Sequence, residues 1–202
     1  MTKLWRGEPL VLASQSRIRQ DLLSAAGIPF QTQPAAIDER AIENALVASG
    51  AGAGLVALEL SRAKALKVSR DHPGRLVIGA DQVLCLEERL FSKPVDWTAA
   101  VRQLRALSGR THELHSGLCA VRESREEFET VSVARLRCRE LSPRFIEAYL
   151  TQAGEIDSVG VYRIEGLGIH LFDAIEGEQS TILGLPLLPL LKFLREEGSL
   201  LS

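Results

Sequence analysis

Apolar and polar positions along this chain follow two periods, one that predicts short buried strands and one that predicts amphipathic helices. The continuous apolar run Leu10-Val-Leu-Ala13 predicts a buried strand. From Arg17 onward Ile18, Leu22, Ala25 and Ala26 fall at helical spacing, and Gly27 and Pro29 stop that helix. Residues 30–33 read as a second short strand. Residues 55–70 are rich in Ala, Leu, Lys, Arg and Glu, which favour helix. Leu76-Val-Ile-Gly-Ala80 predicts the clearest buried strand, with residues 83–86 as its continuation or hairpin partner.

In the second half, Trp97, Val101, Leu104 and Leu107 form a helical stripe after an Asp96 cap, closed by Ser108-Gly109-Arg110. Strands are expected at 111–121 and 128–138. Ser142-Pro143 is a strong helix start, with a capping hydroxyl followed by proline at the first helical position, and Phe145, Ile146, Tyr149 and Leu150 give its buried face. Glycines punctuate residues 160–168, and a strand is expected at 169–174. A last helix spans 187–197, with Pro189 in its first turn. Strands alternate with helices but also pair locally, so the expected fold is an α/β domain around a mixed sheet.

The 202 residues suffice for one large domain or two small lobes, and the 46% apolar and 25% charged fractions are those of a chain that buries a core. With 24 Lys and Arg against 26 Asp and Glu, no basic field exists to hold a nucleic acid. Any polyanion bound must be small and met by local charges. The longest uncharged stretches, near 44–58 and 179–191, are broken by glycine or proline, so no membrane span is expected. The start lacks an apolar signal core, and the expected location is the cytoplasm. Cys85, Cys119 and Cys138 lie far apart without CxxC spacing and read as buried reduced thiols.

Candidate chemistry begins at residues 12–20, a strand-to-helix turn carrying Ser14, Ser16, Arg17 and Arg19. Helix N-termini attract anions, so arginines in a first turn are unfavourable unless something negative sits there. A bound phosphate would resolve that conflict; equally, Ser16 is a plain helix cap and both arginines point into water. Asp81 follows the apolar strand at its carboxyl end, where α/β sheets place ligand chemistry. Asp38, Glu39, Lys64 and Lys93 complete a set of acids and cations suited to metal-assisted phosphoryl chemistry, against the plain alternative of solvated surface charges. His112-Glu-Leu-His115 is one residue short of a zinc-protease motif and lies in an expected strand, where its histidines face opposite sides. No P-loop or complete dinucleotide fingerprint occurs. Glu165 sits in a tight turn, from which its carboxylate reads either a base edge or water.

Eight segments then fall into a known order: Leu12-Ala-Ser-Gln-Ser-Arg-Ile-Arg19, Ile37-Asp-Glu39, Ala63-Lys-Ala65, Ile78-Gly-Ala-Asp-Gln-Val83, Lys93-Pro94, Leu107-Ser-Gly-Arg110, Glu165-Gly-Leu-Gly168 and Leu183-Gly-Leu-Pro186. In that order, over nearly the whole chain, they resemble the Maf family of nucleoside triphosphate pyrophosphatases. The resemblance implies a single domain over residues 1–202 with two lobes, an elongated α/β mixed-sheet fold similar to inosine-triphosphate pyrophosphatases, a central nucleotide cleft and often a homodimer. It implies hydrolysis of a nucleoside triphosphate to monophosphate and pyrophosphate with Mg²⁺ or Mn²⁺.

Carried onto matching positions, Asp81 would be the general base or water-orienting acid and would hold metal with Glu39. Ser14, Ser16, Arg19, Lys64 and Lys93 would bind the triphosphate. Ile18, Gln82 and Glu165 fall where the family varies with base choice. The triplet Asp81 to Val83 and the Glu165 turn look like the branch acting on 7-methyl-GTP, although that branch usually carries Trp where this chain has Ile18. Arg17 and Gln20 likewise replace the family's usual proline and second basic residue. A modified or non-standard purine nucleotide is therefore the expected substrate, in a house-cleaning role. The alternative is a regulatory nucleotide-binding protein acting on cell division, with catalysis secondary.

Overall fold

The structure is a computed structural model that describes residues 4–154 and 158–201. Its elements in chain order are β1 (Leu10–Leu12), α1 (Arg17–Ala25), β2 (Phe30–Thr32), α2 (Glu39–Ala48), α3 (Ala53–Ser69), β3 (Val77–Leu86), β4 (Arg89–Phe91), α4 (Trp97–Leu107), β5 (Thr111–Arg122), β6 (Arg125–Cys138), α5 (Pro143–Ala153), β7 (Phe172–Glu176), α6 (Gln179–Ile182) and α7 (Leu187–Glu196). The strands hydrogen-bond in the order β2-β1-β3-β5-β6-β7, with β4 paired to β3. β1 is parallel to β2 and β3, whereas β4 on β3 and β7 on β6 are antiparallel, so the sheet is mixed and the α/β expectation holds. No described helix is long and apolar enough to cross a membrane.

Contacts divide the chain into two compact units. The first comprises Met1–Gln82, His115–Ser132 and Glu178–Ser202. Its central strands are buried on both faces, which is why they read as unbroken apolar runs rather than alternating ones. Along β1, Leu10 and Leu12 join a cluster with Leu23, Ile78, Leu118 and Leu194, and Phe128 stacks on Phe193 beside it. Val11 and Ala13, turned the other way by the two-residue period, pack with Ala65, Val68, Val77 and Val121. Gly79 brings β3 and α3 unusually close. A Cβ there would lie 2.0 Å from the Ser61 carbonyl oxygen, so no larger residue fits without moving the helix.

The second unit comprises Val83–Leu114 and Val133–Gly177. Here α4 packs against α5 and a 3-10 turn at Val159–Val161, with Leu104, Leu107, Ile146, Leu150 and Val161 buried. Both helices start as the sequence predicts. Asp96 Oδ1 accepts from the Ala99 amide at 2.6 Å, and Ser142 Oγ accepts from Phe145. Each such cap stabilises its helix by ~1 kcal/mol.

His112 of β5 is wholly buried in this unit, 2.7 Å by its Nε2 from the Tyr162 hydroxyl and against the rings of Tyr162 and Phe172. Its Nδ1 has no hydrogen-bond partner among the described residues. Burial pushes the imidazole down to about 4. Because the unfolded chain protonates near pH ~6.5, unfolding takes up a proton between those two values, and the stability held in the neutral ring is lost as pH falls through that window. Urea midpoints measured from pH 7 to pH 4.5 should therefore fall more steeply in the native protein than in His112→Gln. Parallel slopes would remove His112 as the cause.

Several elements depart from the sequence-based expectations. The helix α2 has no counterpart among them. It buries no residue fully, and Asp38, which the sequence reading places among the acids of a phosphoryl site, caps it by accepting from the Ala41 amide at 3.0 Å. Residues 83–86 continue β3 and are not its hairpin partner. The strand expected at 169–174 begins only at Phe172, because Leu167–Leu171 forms a 3-10 turn. Trp97, placed in the buried stripe of α4, is 45% exposed; Ala100 and Gln103 are buried in that helix. The three cysteines are free and buried as expected, and burial pushes Cys119 up to about 12 and Cys138 up to about 11.

Candidate active site

The polar residues that gather do so in the first unit, around the carboxyl end of β1 and the middle of β3; Asp81, expected at the carboxyl end of its strand, lies within it because the strand runs on to Leu86. Ser14 lies in the turn after β1, and its Oγ accepts from the Ser16 amide at 3.2 Å. Ser16 in turn caps α1, its Oγ accepting from the Arg19 amide at 3.5 Å. The two arginines of that first turn separate. Arg17 stays in solvent beside Asp21, while Arg19 turns inward.

Arg19 acts as a fixed fork. Its Nε donates to the Gly184 carbonyl at 2.7 Å, and its Nη1 donates to the Ala80 carbonyl at 2.8 Å and to Ser14 Oγ at 3.1 Å. Burial lowers its pKa from the ordinary value, and the negative charges of Asp81 and Glu39 raise it. Gly184 can offer its carbonyl because it sits at φ +87°, a conformation that favours glycine, with Arg19 3.3 Å from where a Cβ would be.

Next to Ala80, the Asp81 carboxylate is buried and meets a buried cation. Lys64 Nζ of α3 donates to Asp81 Oδ1 at 2.5 Å and to Glu39 Oε2 at 2.9 Å. The Glu39 side chain is 50% exposed, so this pair of carboxylates opens to solvent on one side. Glu39 occupies the first turn of α2, where the helix dipole favours a negative charge. The close approach at Gly79 sets α3 near enough to β3 for Lys64 to reach both acids.

Gln82 is held by the segment before Gly184. Its Nε2 lies 3.0 Å from Ser116 Oγ, 2.9 Å from the Thr181 carbonyl and 3.0 Å from the Ile182 carbonyl. Ser116 Oγ itself donates to Thr181 at 2.7 Å. Two amide hydrogens serve three acceptors, so the Gln82 amide nitrogen is fully committed to its own chain. Ser116 and Thr181 escaped sequence reasoning, since a serine and a threonine in apolar surroundings carry no pattern of their own; the only signal was the Leu183-Gly-Leu-Pro186 segment beside them.

Ile18 lies half-buried in α1 of this unit. Lys93 and Glu165 belong to the second unit, and both are exposed. Lys93 lines a concavity of about 350 Å³ there with Arg89, Phe91, Arg102 and Gln103. Glu165 sits in the turn that the Gly166 amide closes onto the Arg163 carbonyl, and Gly168 packs against that carbonyl too closely for a Cβ. Within the first unit, hydrogen bonds thus join Ser14, Ser16 and Arg19 in one group, Glu39, Lys64 and Asp81 in a second, and Gln82 with Ser116 and Thr181 in a third.

Two carboxylates facing one cation are hard oxygen donors, the type that Mg²⁺ and Mn²⁺ take. Among the described residues no group of three or more His, Cys, Asp or Glu gathers to form a closed cage. An ion such as Mg²⁺ is usually held by one or two carboxylates and completed by substrate phosphates and water, so Glu39 and Asp81 fit that group.

Comparison with known proteins agrees with the geometry. The Maf-like protein family matches residues 9–197. A nucleoside triphosphate pyrophosphatase of Nitrobacter winogradskyi is 58% identical over 96% of each chain, and one of Rhodopseudomonas palustris strain BisB18 is 54% identical over 96% of each. A 7-methyl-GTP pyrophosphatase of Rhizobium meliloti is 50% identical over 95% of this chain and 97% of its own.

Proposed function

This chain belongs to the Maf family, and from that premise we propose that it is a nucleoside triphosphate pyrophosphatase whose hydrolytic centre is the Glu39–Lys64–Asp81 cluster with Arg19 and Ser14 behind it. The observation that carries this reading is the buried carboxylate of Asp81 bound by Lys64, in a chain 58% identical to a pyrophosphatase over nearly its full length. Relatives named for hydrolysis favour it over a regulatory protein of cell division.

In the reaction a water oxygen bonds to phosphorus at the α–β linkage, the bridging P–O bond breaks, and pyrophosphate leaves. With Oδ1 engaged by a cation, as by Lys64 in this structure, Asp81 keeps Oδ2 to orient that water and accept its proton. Arg19 and Lys64 supply positive charge toward the triphosphate, with Ser14 as a hydrogen-bonding partner and the N-terminal amides of α1 around Ser16. Lys93 enters as a further phosphate ligand through the family resemblance. A divalent cation held by Glu39 and Asp81 would neutralise phosphate oxygens and align the tail. The catalytic power comes from positioning and charge, as phosphoryl chemistry requires.

For the base, the relative named for 7-methyl-GTP supports a modified purine nucleotide, and Glu165 has the acceptors to take the N1 and N2 hydrogens of guanine. Gln82, tied to Ser116 and Thr181, would then act on base choice by fixing the strand beside Asp81, and Ile18 by its apolar bulk. The test is pyrophosphate release across ordinary and modified triphosphates with Mg²⁺ and with Mn²⁺. Wild type should favour guanine-type bases, and Glu165→Gln should narrow that preference by roughly 10-fold in kcat/KM, the scale of one lost charged hydrogen bond. Unchanged ratios across the panel would refute the role of Glu165.

A further inference from the structure

One cation already bridges the two carboxylates assigned to the divalent ion. Lys64 Nζ stands 2.9 Å from Glu39 Oε2 and 2.5 Å from Asp81 Oδ1. A metal bound at ~2.1 Å to Glu39 Oε2 and Asp81 Oδ1, the oxygens that Lys64 holds, would have to take the place of that ammonium between them. Two cations repel each other across such a gap, most strongly on its buried Asp81 side, where like charges are poorly screened. Arg19 cannot serve as the movable partner, because its Nε and Nη1 are spent on Gly184, Ala80 and Ser14. Lys64 can move, since its head is a point charge on a flexible four-carbon stem and the Glu39 side of the bridge is open to solvent.

We propose that Lys64 is an exchangeable counter-ion: it competes with the divalent cation for Glu39 and Asp81, and it yields when a triphosphate arrives to take the ammonium. The inference rests on the metal-dependent reading above and adds an order to it. Metal alone binds weakly, and metal and nucleotide strengthen each other. By linkage that coupling is reciprocal. The device keeps a cation between the two acids in either state, and it places the ammonium on the phosphates when the metal is in place.

The experiment titrates Mn²⁺ alone by electron paramagnetic resonance into the wild type, Lys64→Met and Lys64→Arg. Each is repeated with a triphosphate carrying a non-hydrolysable methylene between the α and β phosphorus atoms. Without nucleotide, Lys64→Met should bind Mn²⁺ at least ~10-fold more tightly than wild type, because two acids left without a cation attract one, while Lys64→Arg stays weak. The nucleotide analogue should raise Mn²⁺ affinity at least ~10-fold in wild type and much less in Lys64→Met. A merely structural lysine would not produce that pattern. Equal Mn²⁺ affinities in wild type and Lys64→Met overturn the proposal whatever the activities are. Should Lys64→Met fail to fold, absence of coupling between Mn²⁺ and the analogue in wild type overturns it equally. Failure of every form to bind Mn²⁺, with or without the analogue, overturns both the proposal and the metal-dependent reading.

Discussion

Asp81→Asn is expected to lower pyrophosphate release by about 10³-fold, within the range that removal of a general base produces. The substitution keeps the shape of a side chain that is 13% exposed, and it keeps an oxygen for the Lys64 ammonium. It removes the negative charge that would take a proton from water. Lys64 retains its second partner, Glu39 at 2.9 Å, so the buried ammonium is not left alone and the stability loss should stay near ~1–3 kcal/mol. In a chain of this size that amounts to a fall in Tm of roughly 3–10 °C. Kinetics at 20 °C with thermal melts on the same sample check both halves. Near-normal turnover would take Asp81 out of the mechanism, whereas loss of activity by unfolding alone would show in the melt.

Arg19→Lys should have the largest effect on stability. Three N–H groups of one planar fork hold Gly184, Ala80 and Ser14, which lie on three separate segments of the first unit. An ammonium keeps the charge but cannot reach three acceptors set at those angles, so it leaves two carbonyls and a hydroxyl to find other partners. Each unmade bond of this kind costs ~1–3 kcal/mol; with the ammonium re-forming one of the three, the sum should be about 2–6 kcal/mol, or roughly 5–20 °C in Tm. Affinity for triphosphate should fall with it. An unchanged melting temperature would show that the fork does not hold these segments together.

Most of the strands and helices were legible because their signals are local. Unbroken apolar runs gave β1 and β3, and a hydroxyl or carboxylate before a helical stripe gave the starts of α4 and α5. The helix α2 is absent from the expected elements although Ile42, Ala45 and Leu46 fall at helical spacing behind the Asp38 cap; the acids at its start read as site chemistry and masked the cap. The start of β7 was misplaced because a 3-10 turn and a strand carry the same apolar residues when glycine sets the backbone.

The candidate site was legible in its acids and cations and illegible in its supports. Asp81 and Glu39 could be singled out as acids after predicted strands and Lys64 as a cation on a predicted helix, yet nothing in spacing says that residues 39, 64 and 81 meet at one ammonium. That meeting depends on Gly79, whose missing side chain lets α3 approach the sheet. Arg19 read as either a phosphate ligand or a solvated charge. The structure turns it inward onto backbone carbonyls, a partnership between residues 165 positions apart in the case of Gly184. Ser116 and Thr181 became visible only once Gln82 was seen to bind them.

The central claim is that this cluster cleaves the α–β linkage of a nucleoside triphosphate. The most direct measurement quantifies every phosphorus-containing product after incubating the protein with GTP or 7-methyl-GTP and Mg²⁺. Monophosphate and pyrophosphate in equal amounts, from wild type and not from Asp81→Asn, is the predicted result. Diphosphate with free inorganic phosphate would contradict it, as would equal product from both proteins.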